Sequence, residues 1–555
     1  TNTGTIYAQQ NIETDTRFSR ILSQPIKERR PGMGREGVSI WEPIIAEVTQ
    51  GKVTRLDEMR GPTAREAVVL NTGSLSAGGN VSLLVGAGFT NTGFLGAGVD
   101  SAGNILQQGK GELTVSSALS HWFWDYASRY PQNCPAGYCQ QLREKLWPTY
   151  FGELIGEGTQ RTGGKQHWKV AGHVDLSRGS TEAETLEVHT SYLSTREANL
   201  AVNGVMTVTN LPEYEGFRPK RELPPIIHTT LDHASLDKTN HPNLVHRHQV
   251  GSVRFGWYHE GGSLKAGSLV AKLGHIHVER ANITLGADLT VTPGTLTDPG
   301  ANSWFLPPKL TLKESTVSVG GSAHIDTRQL TLEQSQLVAA KSLNATTQTV
   351  NHLNQSTLQA GETLTLQTAQ LNNEESTLRA GKKATLESLT WGDTASVFTN
   401  RHGLTSAPTL KIAFPNLVNP GGRLYGDRMM LSAKHLLNQP GSPGGFIGAK
   451  EQLLIAVDDL TNTHGARIYS GGDITLGGAI GPDGKVTGDA STIRNIGGYF
   501  DAQGKLVVNA RSIENIEGGA LLAGHTVLWP SGSFTNDANV VSGMFSVNTE
   551  GSFHN

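Results

Sequence analysis

Short stretches in which apolar and polar residues alternate recur along the chain at a fixed interval. Leu364-Thr-Leu366, Ala384-Thr-Leu386 and Ala323-His-Ile325 each carry the period-two signature of a half-buried strand. Ser315-Thr316-Val317, Ser335-Gln336-Leu337, Ser356-Thr357-Leu358 and Ser376-Thr377-Leu378 mark four registers spaced 20, 21 and 20 residues apart. A small residue follows each: Gly320, Ala340, Gly361 and Gly381. Near the start, Asn71-Thr-Gly73-Ser-Leu75 and Asn91-Thr-Gly93-Phe-Leu95 lie 20 apart, and Asn2-Thr-Gly4-Thr-Ile6 matches them.

Toward the end an apolar-x-Asn triplet takes over. It reads Leu417-Val-Asn419, Leu436-Leu-Asn438, Leu460-Thr-Asn462, Ile493-Arg-Asn495, Ile513-Glu-Asn515, Phe534-Thr-Asn536 and Phe553-His-Asn555. A unit of about 20 residues with two or three short strands cannot bury its own apolar face, so it stacks on copies of itself. The pattern predicts an all-β fold, a right-handed parallel β-helix whose hand follows the crossover rule. Leu, Ile and Val point inward as ladders, glycine takes corners that need positive φ, and the recurring Asn forms an amide ladder along one corner.

Composition sharpens this reading. Glycine makes up 66 of 555 residues, about 12 % against roughly 7 % in ordinary globular chains. The 46 basic and 49 acidic residues leave a net charge of −3, too little field to attract nucleic acid. No apolar stretch of about 18 residues offers a membrane span, and residues 1–10 hold no secretory signal. The chain begins and stops on repeat landmarks and reads as a segment of something longer.

The period divides the chain into residues 1–119, rungs with a charged excursion at 14–66; 120–164, an aromatic and partly helical insertion; 165–310, rungs with a Pro/His-rich insertion at 211–261; 311–400, regular repeats; and 401–555, repeats with the Asn ladder. The second insertion concentrates Trp122, Phe123, Trp124, Tyr126, Tyr130, Trp147, Tyr150 and Phe151, with one or two helical turns expected over 140–147. Trp257 and Tyr258 lie at the end of the third. These ten aromatics either form small cores within the insertions or anchor a partner, since Trp and Tyr dominate binding hot spots. Cys134 and Cys139 enclose a Pro- and Gly-containing loop, which suits a local disulfide better than a redox pair. His246-Arg-His248 and His275-Ile-His277 each place two imidazoles on one face of a strand, but no Cys or carboxylate completes a shell, so neither a metal nor any other cofactor is expected.

The repeat, with Leu358-x-Ala360-Gly361-x-x-Leu364-x-Leu366 and Leu436-x-Asn438 as landmarks, resembles that of filamentous-haemagglutinin-type exoproteins of two-partner secretion systems. Among these it is most similar to the contact-dependent growth inhibition effectors (CdiA), whose repeats read like Leu417-Val-Asn419-Pro-Gly-Gly-Arg-Leu424-Tyr-Gly. The resemblance implies a protein secreted to the surface of a Gram-negative bacterium through an outer-membrane transporter. It also implies a stalk with a receptor-binding region that recognises an outer-membrane protein or lipopolysaccharide on a neighbouring cell, ahead of a toxin that this segment does not include. Nucleic acid is not an expected partner, and the chain is expected to be monomeric.

Two alternatives come from other readings of the same rod. One is adhesion to a host cell. The other is a polysaccharide-processing enzyme, which needs carboxylates clustered across rungs. Asp458-Asp459 is an adjacent acid pair in the coil, but successive strand residues point to opposite faces, so a non-catalytic role is expected.

Overall fold

The computed structural model describes residues 2–16, 68–85, 88–117, 153–170, 173–190, 192–209, 256–293, 308–441, 444–549 and 551–555. These residues fold without a single helix, into short strands paired in parallel with the strands one rung away, which is the expected parallel β-helix. Two compact units divide the chain. One comprises Thr1–His277 and Pro293–Leu306, the other Val278–Thr292 and Pro307–Asn555.

In the second unit each rung has three strands. Thr316–Val319, Ala323–Asp326 and Gln329–Glu333 pair respectively with Gln336–Ala339 and with the two halves of Ser342–Leu353. Burial alternates along each strand, so one face is dry and the other wet. The apolar member of the triplet continues the Leu310, Leu330 and Val350 column of the regular repeats as an unbroken inner ladder, Leu310, Leu330, Val350, Leu371, Phe398, Leu417, Leu436, Leu460, Ile493, Ile513 and Phe534, each directly opposite the next. All eleven are at most 4 % exposed, and this continuous apolar column supplies the burial that a lone rung lacks.

The Asn ladder is present in both units. In the first, Asn2 donates to Asn71 at 2.8 Å and Asn71 to Asn91 at 2.7 Å. In the second it runs from Asn373 through Asn400, Asn419, Asn438, Asn462, Asn495, Asn515 and Asn536 to Asn555, with every Nδ2–Oδ1 distance between 2.7 and 2.9 Å. Asn373 and Asn400 extend the triplet as Leu371-Asn-Asn373 and Phe398-Thr-Asn400, two occurrences not picked out above.

The regular repeats carry a second ladder, made of serine. The amides of Ser315, Ser335 and Ser356 each donate to the next rung's serine Oγ at 3.1 Å. Each hydroxyl, including that of Ser376, donates to a carbonyl of its own turn at 2.6 or 2.7 Å. The turn preceding these serines is left-handed at Glu314, Gln334, Gln355 and Glu375, with φ of 47, 47, 65 and 48°.

The glycine expectation needs correction accordingly. Gly497 and Gly421 do adopt positive φ, at 63 and 64°, but Gly320, Gly361 and Gly381 do not. A Cβ on Gly381 would collide with the carbonyl oxygen of Gly361, and one on Gly361 with that of Ala340. Those glycines are small because rungs stack backbone on backbone there, not because of their dihedrals. The acid pair also differs from expectation. Asp458 is exposed and Asp459 partly exposed, so both side chains face outward from the strand Phe446–Thr463, between buried Val457 and Leu460. Asp459 pairs with His435 at 3.2 Å, an imidazole rather than a second carboxylate.

Candidate functional site

Three long connections of the first unit, 17–67, 118–152 and 210–255, join the same two strand columns, whereas the loop 98–112, between Phe94–Ala97 and Leu113–Ser117, falls at another step. The strands Ile12–Thr16, Val81–Val85, Leu113–Ser117, Lys165–Lys169, Thr185–His189 and the end of Asn199–Thr209 stack in a single register column. Val68–Asn71, Gly88–Asn91, Glu153–Gly156, His173–Asp175, Tyr192–Ser194 and Gly256–Glu260 stack in the next. Residues 17–67, 118–152 and 210–255 each connect the first column to the second, where an uninterrupted rung spends only two or three residues. In the second unit the loop 388–396 and the hairpin Ala479–Ile480/Val486–Thr487 occupy the same step of their own rungs.

Eight of the ten aromatic candidates, Trp122, Phe123, Trp124, Tyr126, Tyr130, Trp147, Tyr150 and Phe151, lie outside the described residues, as do Cys134, Cys139 and the helical turns expected at 140–147. The other two are within the coil. Trp257 and Tyr258 belong to the strand Gly256–Glu260, at 1 % and 6 % exposure, opposite Leu193 and Ser194. Trp257 donates through Nε1 to Thr195 Oγ1 at 2.8 Å. Both are buried rung residues rather than exposed anchors: Trp257 fills the same interior column as Leu193, and Tyr258, on the opposite face, is covered by its neighbours. Glu153–Gly156 and Thr159–Thr162 are likewise coil strands inside the stretch assigned from sequence to the second insertion.

The outer faces of these same rungs carry a group of aromatic, histidine and charged side chains in contact. Tyr258 stacks on His277 with ring centroids 4.9 Å apart, and the Arg196 guanidinium lies 5.5 Å from the tyrosine centroid while pairing with Glu260 at 2.8 Å. His173 packs on Tyr192 at 4.8 Å, and burial pushes its imidazole down to about 4.

On the neighbouring column, His167, Glu187 and His189 form a compact group whose ligand atoms all lie within 4.8 Å of one another. Their placement follows from register. His167 faces Glu187 one rung on, and His189 follows Glu187 by two residues on the same strand face. The intervening Gln166, Trp168, Leu186 and Val188 point into the coil. The imidazoles of His167 and His189 meet edge to face at 5.0 Å. His189 Nε2 lies 3.8 Å from a Glu187 oxygen that also takes the Lys165 ammonium at 2.8 Å. Burial, then the neighbouring His189, pushes His167 down to about 4, and burial lowers His189 as well, so both are neutral near pH 7. Burial alone would raise the Glu187 carboxyl, but Lys165 and the two imidazoles outweigh it and hold it below the usual carboxylate range.

Sequence reading missed this group because it sought histidine pairs within one strand. The signal was the period itself, since adding 20 to His167 lands on Glu187. His275 and His277, chosen as such a pair, have ring centroids 6.3 Å apart, while His246 and His248 lie outside the described residues. The chain matches no family model, curated protein or solved structure in the comparisons made.

Proposed function

We propose that the chain is a non-catalytic stalk and receptor-presenting segment of a large secreted surface protein. It recognises an outer-membrane component of neighbouring bacteria and so allows delivery of a toxin carried elsewhere in the molecule. The observation that carries this reading is that 17–67, 118–152 and 210–255 all connect the same two strand columns of the first unit. Stacked rungs add length without adding new surface chemistry, whereas long connections that begin and end at the same step root varied sequence at one corner. The resemblance of the repeat to filamentous-haemagglutinin-type exoproteins supports the same reading.

The test is capture of outer-membrane components from target bacteria on the immobilised chain, repeated with each of the three insertions deleted. Retention of a defined outer-membrane protein or lipopolysaccharide, lost in at least one deletion that leaves the far-ultraviolet strand signal intact, is the expected result. Equal capture by all three deletions, or capture only from host-cell membranes, overturns it.

A further inference from the structure

We infer that His167, Glu187 and His189 form a binding site for a divalent transition metal, with zinc the best match to the donors. Two imidazoles and one carboxylate are a recurrent three-protein-ligand set for zinc, which leaves a further coordination position for a ligand from outside the set. Hard cations such as magnesium and calcium prefer all-oxygen shells and are disfavoured by the two nitrogen donors.

Three observations beyond the clustering support the site. First, His167 Nε2 is buried and has no hydrogen-bond partner, an orphaned donor-acceptor atom beside two other ligand groups. Second, His189 Nδ1 lies 2.6 Å from Thr209 Oγ1. A proton on Nδ1, donated to that hydroxyl, leaves the Nε2 lone pair free on the side where Glu187 sits, the outer-shell arrangement that fixes a metal-ligating histidine. Third, all three side chains stand on the outward face of consecutive rungs, so the backbone that spaces them is the paired sheet itself. A tetrahedral zinc shell with bonds of roughly 2.0–2.1 Å has edges of about 3.3 Å, which side-chain rotations reach from the present spacing. Lys165 now neutralises Glu187 and competes with a dication for the same oxygen.

Thr209 is the last strand residue before 210–255, so the site lies at the root of one of the three insertions. Its existence does not depend on the receptor-binding reading, and its test uses the metal alone.

The experiment titrates the full chain with Zn²⁺ against a chromophoric chelator, with Mg²⁺ and Ca²⁺ as comparisons. One equivalent of Zn²⁺ is expected, with no binding of the two hard cations at the same concentration. His167→Ala combined with His189→Ala should abolish the stoichiometric site, and Thr209→Val should weaken it by about tenfold through loss of the outer-shell bond. Lys165→Met should tighten it severalfold, an effect that a loss of folding cannot mimic. X-ray absorption at the zinc edge should show a shell of light atoms with imidazole scattering. Absence of stoichiometric Zn²⁺, unchanged affinity in the double histidine variant, or weaker binding in Lys165→Met overturns the assignment.

Discussion

Asn419 donates from Nδ2 to Oδ1 of Asn438 at 2.8 Å, and Asn438 passes the same bond on to Asn462 at 2.9 Å, with all three side chains 0 % exposed. Each amide in the column therefore acts as acceptor to one neighbour and donor to the other. Replacing a middle member leaves a donor on one side and an acceptor on the other, both out of reach of water. Asn438→Ala is expected to cost about 2–6 kcal/mol, from two buried groups at roughly 1–3 kcal/mol each. Asn438→Asp keeps the acceptor for Asn419 but loses the donor and buries a charge, so it should cost more. Denaturant unfolding of the three proteins measures both, and an Asn438→Ala loss below about 0.5 kcal/mol would refute the ladder's energetic role.

The two kinds of glycine separate in a paired substitution. Gly381→Ala drives a methyl group into the Gly361 carbonyl of the adjacent rung, and backbone on both sides must shift. Overpacking of that kind costs typically 1–3 kcal/mol, so about 3 kcal/mol is expected. Gly465 has φ of 85° and open space around its missing Cβ. Gly465→Ala meets only the left-handed backbone penalty of about 1–2 kcal/mol. A larger loss at Gly465 than at Gly381 in thermal unfolding would reverse the assignment of clearance to one and dihedral to the other.

The rung, its period and its amide column were legible in the sequence because each rests on residues that repeat at the spacing of the stack. Leu417, Leu436 and Leu460 announce a buried column by recurring, and Asn419, Asn438 and Asn462 announce a corner in the same way. What the sequence left ambiguous were features that recur without an obvious physical cause or that occur once. Gly361 and Gly381 recur, but the letter glycine does not distinguish a positive φ from a close approach. Trp257 occurs once, and an isolated aromatic next to a proline- and histidine-rich stretch reads as part of it until its register with Leu193 is known. His167 and Glu187 lie one period apart, so their juxtaposition was implicit, yet residues of different type in successive repeats do not register as a repeat.

Where the serine-lined repeats give way to the Asn column, His352 stands in for an asparagine. Its Nδ1 lies 2.8 Å from Asn373 Oδ1, which requires the proton on Nδ1, and its Nε2 is buried without a partner. Burial pushes the imidazole from its ordinary 6.5 down to about 4, with the Asn373 bond opposing only in part. The folded state thus takes up the proton less readily than the unfolded chain. Stability from this group is complete above about pH 6.5 and falls as the pH drops toward 4, at about 1.4 kcal/mol per unit, with about 2–3 kcal/mol lost by pH 4.5. His352→Asn removes the titration and extends the amide column by one member, Nδ2 donating to Asn373 in place of the imidazole. Its unfolding free energy should fall less than the parent's between pH 7 and pH 4.5, by about that amount. A residual acid slope should persist, because His167, His173 and His259 are depressed to about 4 as well. Identical acid limbs for variant and parent would show that His352 does not carry this linkage.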